Sequence, residues 1–355
     1  MDKKLYRTAL IGCGRVAWMF EDDPLIPEKP CTHAGAYQKV ENTIIVAGAD
    51  QRPDRLHEFV KKFGVDNVYL DYREMLDKES PDIVSICAYA PDRIKMVSDS
   101  INAGVKGIWC EKAFATSLAE ADEMVRLCKE NGVPLIISYL RRWNSDYNLA
   151  RKILLEGTIG DPVSAVCHFS GNMIHTGTHA FDVLRMFFGD VAWVEGDLEY
   201  SSEPKHHDAF ESTEDLILND AGGYALIGFK NGVYATVHGD SKGFFIFEFD
   251  IMCTGGRIKI GNYLFEVFLA EESKTESGLI ELYKKDISCD HSVNAFVAAA
   301  QNLTDCLDGR ANIICGPEDG KAALEIALAI NQSHCMGGKR VELPLKDRHI
   351  RVLSR

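Results

Sequence analysis

The chain has 355 residues, 46% hydrophobic and 26% charged, and its 39 basic against 53 acidic side chains leave a net charge of −14. That length exceeds what one hydrophobic core ordinarily serves, so two domains are expected. The acidic balance argues against nucleic acid or an anionic membrane as partner, and no run reaches the ~18 apolar residues of a membrane span.

The first residues lead directly into a strand, Thr8 to Ile11, with no apolar leader pattern. Gly12-Cys13-Gly14-Arg15-Val16-Ala17 follows as G-x-G-x-x-A. In a dinucleotide-binding turn Gly12 permits the turn, Gly14 lets a pyrophosphate approach the backbone, and Ala17 allows close helix–strand packing. A helix is expected from Gly14 to Met19, presenting its first N–H groups, those of Arg15 and Val16 included, to an anion. Glu21 to Pro30 then carries three prolines; it is a loop, read either as a surface insertion or as a lid beside the cofactor. A helix resumes at His33.

Thr43 to Ala49 is a second strand and ends in Asp50, 38 positions after Gly12. The proline loop accounts for that long spacing. A carboxylate there accepts the adenosine ribose hydroxyls and repels a 2′-phosphate, whereas the neighbouring Gln51-Arg52 offers a guanidinium to that phosphate. NAD is favoured over NADP. A helix over Pro53 to Phe63, short strands at Asn67 to Leu70 and Asp82 to Ala88, and a helix through Ile94, Val97 and Ile101 continue the alternation. The strand Val105 to Cys110 leads into Glu111-Lys112-Ala113. Ser117 to Glu120 is a capping box, and Pro134 to Ser138 is one more strand. The expectation is an α/β chain: a doubly wound parallel Rossmann domain over 1–138, with ligands at the carboxyl ends of its strands, Ala88 among them.

From 139 to 355 the pattern changes to an α+β domain with a large, mainly antiparallel open sheet. Helices are expected at Ser145 to Glu156 and from His175 to Phe188. Strands are expected at Val163 to Gly171, Ala192 to Tyr200, Glu214 to Leu218, Gly223 to Phe229, Val233 to His238, Phe244 to Met252, Arg257 to Ile260 and Leu264 to Ala270. Asn231-Gly232 is a hairpin signal. Two helices close the chain, and they are allowed to pack back on the first domain. The 11 cysteines include no C-x-x-C, and Cys87 and Cys110 sit inside apolar strands. They read as reduced thiols of a cytoplasmic protein.

Lys112 stands where a strand end meets the ligand site. As ammonium it polarises a carbonyl oxygen; desolvated, it exchanges protons. The segment His175-Thr-Gly-Thr-His179-Ala-Phe-Asp182 offers His179 as a general acid/base and Asp182 on the same helical face, with Thr178 as a helix cap. Gly177 between the two histidines speaks against metal, and none is expected. Arg93, Arg141, Arg142 and Trp143 follow strand ends and read either as contacts to an anionic substrate group or as structural ion pairs.

Three pieces together resemble the Gfo/Idh/MocA oxidoreductase family: the turn Gly12 to Ala17, Cys110-Glu-Lys-Ala-Phe-Ala115 against the family's Glu-Lys-Pro, and His175 to Asp182 against its Asp-x-Gly-x-His-x-x-Asp. The resemblance runs to Val341-Glu-Leu-Pro344. It implies an NAD(P)-dependent dehydrogenase acting on a secondary alcohol of a sugar, polyol or sugar derivative, with Lys112 and His179 flanking the reacting hydroxyl. Glu111 and Lys112 would also border the cofactor. It further implies a homodimer or homotetramer through the open sheet, in keeping with the apolar stretch Phe244 to Phe249. Redox-neutral, NAD-assisted glycoside cleavage and a non-catalytic ligand-binding role are the alternatives. Ala113 in place of proline predicts a trans peptide after Lys112, because a non-proline cis bond costs ~3–4 kcal/mol. His175 in place of aspartate either joins the proton relay or shapes the pocket.

Overall fold

The computed structural model describes residues 4–200, 220–240, 243–287 and 289–351; the strand expected at Glu214–Leu218 lies outside them. The chain divides into two units, Met1–Trp143 with Ser292–Lys321 and Asn144–His291 with Ala322–Leu353. Residues 139–143, assigned from sequence to the second domain, fold with the first.

In the first unit, strands and helices alternate: β1 (Tyr6–Ile11), α1 (His33–Lys39), β2 (Thr43–Ala49), α2 (Pro53–Phe63), β3 (Val68–Tyr69), α3 (Tyr72–Glu79), β4 (Ile83–Ile86), α4 (Ala90–Asn102), β5 (Gly107–Cys110), α5 (Leu118–Asn131) and β6 (Leu135–Ile137). All strand pairs are parallel, in the order β3-β2-β1-β4-β5-β6. Every residue of β4 and β5 is buried, as a sheet covered on both faces requires. The capping box forms: Ser117 Oγ accepts the Glu120 N–H at 3.2 Å, and the Glu120 carboxylate reaches back to the Thr116 N–H at 3.0 Å. The order reverses between β1 and β4, which opens a crevice for ligands at their carboxyl ends.

The first helix departs from expectation. Trp18 N–H donates to the Gly14 carbonyl at 3.2 Å, and the chain then leaves in a 3-10 helix, Met19–Asp22. The α1 helix begins only at His33, yet His33 and Ala34 donate their N–H groups to the carbonyls of Val16 and Ala17 at 3.3 and 2.9 Å. The proline segment is thus spliced into one helix, whose two pieces join across it. Proline lacks the N–H a continuous helix needs, so residues 24–30 have to loop out. Glu21 closes the splice: its Oε1 accepts the Cys31 N–H at 2.8 Å and the Thr32 hydroxyl at 2.6 Å, while Thr32 caps α1.

The second unit holds α6 (Ser145–Leu155), β7 (Pro162–Ser170), α7 (Thr178–Phe188), β8 (Val191–Tyr200), β9 (Asp220–Phe229), β10 (Tyr234–Asp240), β11 (Phe247–Cys253), β12 (Gly256–Gly261), β13 (Leu264–Glu272) and β14 (Ile280–Lys285); α8 (Ala295–Leu307) returns to the first unit, and α9 (Pro317–Cys335) and β15 (Val341–Glu342) follow. The nine strands run β14-β13-β12-β11-β7-β10-β9-β8-β15, antiparallel except for β7 with β10. β14 and β15 were not legible as strands: one is an exposed charged edge and the other only two residues long. The hairpin at Asn231-Gly232 joins β9 to β10. Strand alternation corrects one reading. Phe247 and Phe249 point into the core, Phe249 against Tyr147 and Phe187, so of the stretch Phe244 to Phe249 only Phe244 and Phe245 are exposed, ahead of β11. The exposed face carries Val166, Tyr224, Tyr234 and Met252 instead.

No helix among the described residues is long and apolar enough to cross a membrane.

Candidate functional site

Gly12, Asp50, Ala88 and Lys112 all lie just beyond carboxyl ends of parallel strands, on one edge of the first unit's sheet. Gly12 has φ +87°, and a Cβ there would stand 3.0 Å from the Cys87 carbonyl carbon. Only glycine fits that turn. Gly14 differs: a Cβ there would meet only the Arg55 guanidinium, at 3.4 Å. The surface over Gly14 is therefore an open cradle beside a cation, which fits a pyrophosphate. Val16 and Arg15 complete the turn, with the Arg15 guanidinium stacked 4.6 Å over the Phe20 ring.

Asp50 is bound into this turn. Its Oδ2 accepts the Cys13 N–H at 2.8 Å and Arg55 Nη1 at 3.3 Å, and its Oδ1 accepts the Arg52 N–H at 2.9 Å. A carboxylate offers about four acceptor positions, which leaves capacity for a ribose hydroxyl. Gln51 is exposed beside it. Arg52 turns away and forks onto Asp54, with Nε donating to Oδ1 at 3.2 Å. Arg55 was missed from sequence, because only the first turn of α2 brings it back over the loop.

Lys112 is half-buried. Burial pushes its ammonium down, the Glu111 carboxylate pushes it back up, and the Arg93 and Arg141 guanidinium groups add to the lowering, leaving it at about 8. The peptide between Lys112 and Ala113 is cis, contrary to the trans expectation. Both flanking carbonyls are held by the buried Arg93: Nη2 donates to the Lys112 carbonyl at 3.0 Å, Nη1 donates to that of Ala113, and Nε donates to the Ala88 carbonyl at 3.0 Å. Arg93 therefore shapes the Lys112 loop and does not present its charge to a substrate. Sequence cannot show that a guanidinium's partners are backbone carbonyls.

Glu111 is corrected in the same way. It is 8% exposed, and its Oε1 lies 3.0 Å from His33 Nε2. It backs Lys112 from inside the fold and offers no open border to a cofactor. Burial raises its carboxyl, but the hydrogen bond and charge of His33, the nearby Lys112 and the Ser138 hydroxyl outweigh it and hold it at about 2. Arg142 is also committed, with Nη2 on Asp319 Oδ1 at 3.0 Å, and Trp143 is buried. Both belong to the first unit's packing, since a short 3-10 helix, Leu140–Trp143, carries them off β6.

In the second unit, Met173–Gly177 form a π-helical turn that runs into α7, a distortion that often marks functional positions. Asn172, not Thr178, supplies the cap: its Oδ1 accepts the His175 N–H at 2.6 Å, while the Thr178 hydroxyl donates back to the Ile174 carbonyl at 2.9 Å. His175 is exposed, His179 is half-buried on the first turn of α7, and Asp182 is fully buried. Asp182 is thus inside the packing of α7, three residues along from His179, where helix geometry turns it toward the core. Asp220 was missed. Its Oδ1 accepts the Met173 N–H at 2.7 Å, and burial raises its carboxyl to about 6 against the pull of backbone hydrogen bonds from Met173, Gly222 and Ile174. Nothing in its sequence neighbourhood announces that role. Among the described residues no group of three His, Cys, Asp or Glu side chains is placed to hold a metal.

A family model described as an oxidoreductase family with an NAD-binding Rossmann fold matches residues 6–139. D-apiose dehydrogenase of Paraburkholderia graminis is 33% identical over 205 residues, 53% of this chain and 51% of that protein. Myo-inositol 2-dehydrogenase of Thermotoga maritima is 28% identical over 156 residues, 44% of this chain and 42% of that protein. The matched stretch thus spans about half the length of these curated relatives. A levoglucosan dehydrogenase solved with NADH shares the fold at a TM-score of 0.78 and 17% identity, over 96% of this chain and 100% of that one.

Proposed function

We propose, from the match of residues 6–139 to an oxidoreductase family with an NAD-binding Rossmann fold, that the chain is a Gfo/Idh/MocA-type nicotinamide-dependent dehydrogenase acting on a secondary alcohol of a sugar, polyol or sugar derivative. The observation that carries the reading is the open cradle over Gly14, with Lys112 on the same strand-end edge. Relatives named for D-apiose and myo-inositol support a carbohydrate-like substrate.

The residues Gly12, Gly14, Arg15, Val16, Asp50 and Ala88 are the proposed dinucleotide contacts. When bound, the nicotinamide supplies or accepts the hydride. The chain's own groups do the rest. Lys112, as ammonium, binds and polarises the substrate oxygen. His179 exchanges the hydroxyl proton, with His175 the second candidate for that proton. The Asp50 carboxylate at the end of β2, which repels a 2′-phosphate, supports NAD over NADP.

The test is a screen of sugars, inositols and nucleotide sugars with NAD and with NADP, read by the absorbance of the reduced cofactor. At least one polyol or sugar is expected to reduce NAD, and to do so faster than NADP. Sugar release without net NADH would favour redox-neutral cleavage. Failure of the entire panel would favour a ligand-binding role.

We also propose self-association through the open face of the nine-stranded sheet, on which Val166, Tyr224, Tyr234 and Met252 are exposed. Light scattering on an eluting column peak is expected to give a mass of two or four chains. A monomer at micromolar concentration would overturn this, and a Tyr234→Glu variant is expected to shift the mass downward.

A further inference from the structure

A buried polar chain runs through the first unit behind Lys112. Tyr37 Oη lies 2.8 Å from Ser85 Oγ, Ser85 Oγ lies 3.0 Å from His33 Nδ1, and His33 Nε2 lies 3.0 Å from Glu111 Oε1. Ser138 Oγ accepts the Trp109 indole N–H at 2.9 Å and faces the same carboxylate. Tyr37, His33 and Ser85 are all buried, and the His33 ring packs 3.9 Å from that of Trp109. With its Nε2 protonated His33 donates to Glu111, while its Nδ1 faces the Ser85 hydroxyl that Tyr37 also reaches. The chain ends on the Glu111 carboxylate, and the next residue is Lys112.

We propose that His33 is a positioning residue for Lys112: by donating from Nε2 it keeps the Glu111 carboxylate ionised and fixed beside the Lys112 ammonium. This rests on the reading of Lys112 as the group at the substrate oxygen. The charged groups acting on Lys112 are Glu111, from its own loop, Arg93 on α4 and Arg141 after β6. Two of those three are cations, and Glu111 is the one that favours the ammonium form. Cys87 and Cys110 face Glu111 from the ends of β4 and β5, but burial pushes both thiols up and keeps them protonated. A buried carboxylate deprived of its donor takes up a proton or rotates away. Either outcome withdraws the Glu111 counter-charge from Lys112 and leaves the two cations in place. The spliced helix explains why the histidine is held so closely: Glu21 and Thr32 fix the first turn of α1, on which His33 stands.

The test uses the full chain with 13C-dimethylated lysines, the Lys112 resonance being identified by its absence in Lys112→Arg. In His33→Phe, which keeps a ring against Trp109, the Lys112 titration is expected to fall by roughly one unit or more. His33→Gln retains a donor toward Glu111 and is expected to restore most of that shift. Glu111→Gln is expected to reproduce the fall, and the double variant to add nothing further. NADH affinity, followed by fluorescence, is expected to stay within about twofold of the parent in the His33 variants, for a change of under 0.5 kcal/mol. An unmoved Lys112 titration in His33→Phe overturns the proposal, as does a shift that Glu111→Gln fails to reproduce. Should His33→Phe not fold, Glu111→Gln and Ser85→Ala carry the same comparison. The resonance needs no substrate, so if it moves while Lys112 variants turn over normally, the His33 assignment stands and the catalytic reading of Lys112 fails.

Discussion

Lys112→Ala is expected to bind NAD(H) as tightly as the parent and to lose turnover by a factor of ~10²–10⁴, the range in which a positioned proton-donating group contributes. The geometry makes the loss local. Lys112 follows β5, and its loop is fixed independently by the Arg93 bonds to the carbonyls of Lys112 and Ala113. Removing the ammonium leaves that frame in place. The pH dependence has a defined sign. The ammonium titrates at about 8, and the charged form is the one that polarises a carbonyl. The rate of carbonyl reduction is therefore expected to be full below that value and to fall as pH rises through it. Lys112→Arg keeps charge without titrating there and is expected to lack this limb, whatever its absolute rate. Stopped-flow single turnovers with equilibrium NADH titration separate the two effects. Near-normal rates in Lys112→Ala would remove the lysine from the mechanism; lost cofactor affinity would make it a binding residue instead.

The Rossmann half was legible because its physics is periodic. Continuous apolar runs of four to six residues, each followed by a turn and an amphipathic helix, admit little besides a parallel sheet. The open sheet of the second unit was legible from alternation; of its two unread strands, β14 is a charged edge with Ile280 and Leu282 exposed, and β15 is two residues long. Side-chain partnerships were the blind spot. Arg93 and Arg142 carry the same charge as a substrate clamp and differ from one only in what lies opposite, namely three backbone carbonyls and Asp319. His33 looked like an ordinary first-turn residue after a loop. Its importance depends on the join of Val16 and Ala17 to the helix after the insertion, a contact between segments that no local pattern encodes.

The two glycines of the opening turn are expected to fail in different ways. Gly12→Ala forces a side chain onto a left-handed backbone, at a cost of roughly 1–2 kcal/mol. It also drives the Cβ to within 3.0 Å of the backbone of Cys87, which sits at the end of β4 and cannot yield as a side-chain tip can. The result is a lower unfolding temperature of the first unit with or without cofactor. Gly14→Leu meets only the end of Arg55, a flexible group with room to swing. Its apo-protein is expected to melt with the parent, but the leucine fills the cradle. Excluding a phosphate from two charge-assisted hydrogen bonds, each ~1.5–3 kcal/mol, weakens NAD by on the order of 10²-fold or more. Calorimetric titration and thermal melts on the same preparations distinguish the two. The assignment of Gly14 to the pyrophosphate fails if Gly14→Leu binds NAD normally. It also fails if both variants lose stability and binding in parallel, because the turn would then be a structural loop whose two glycines serve one purpose.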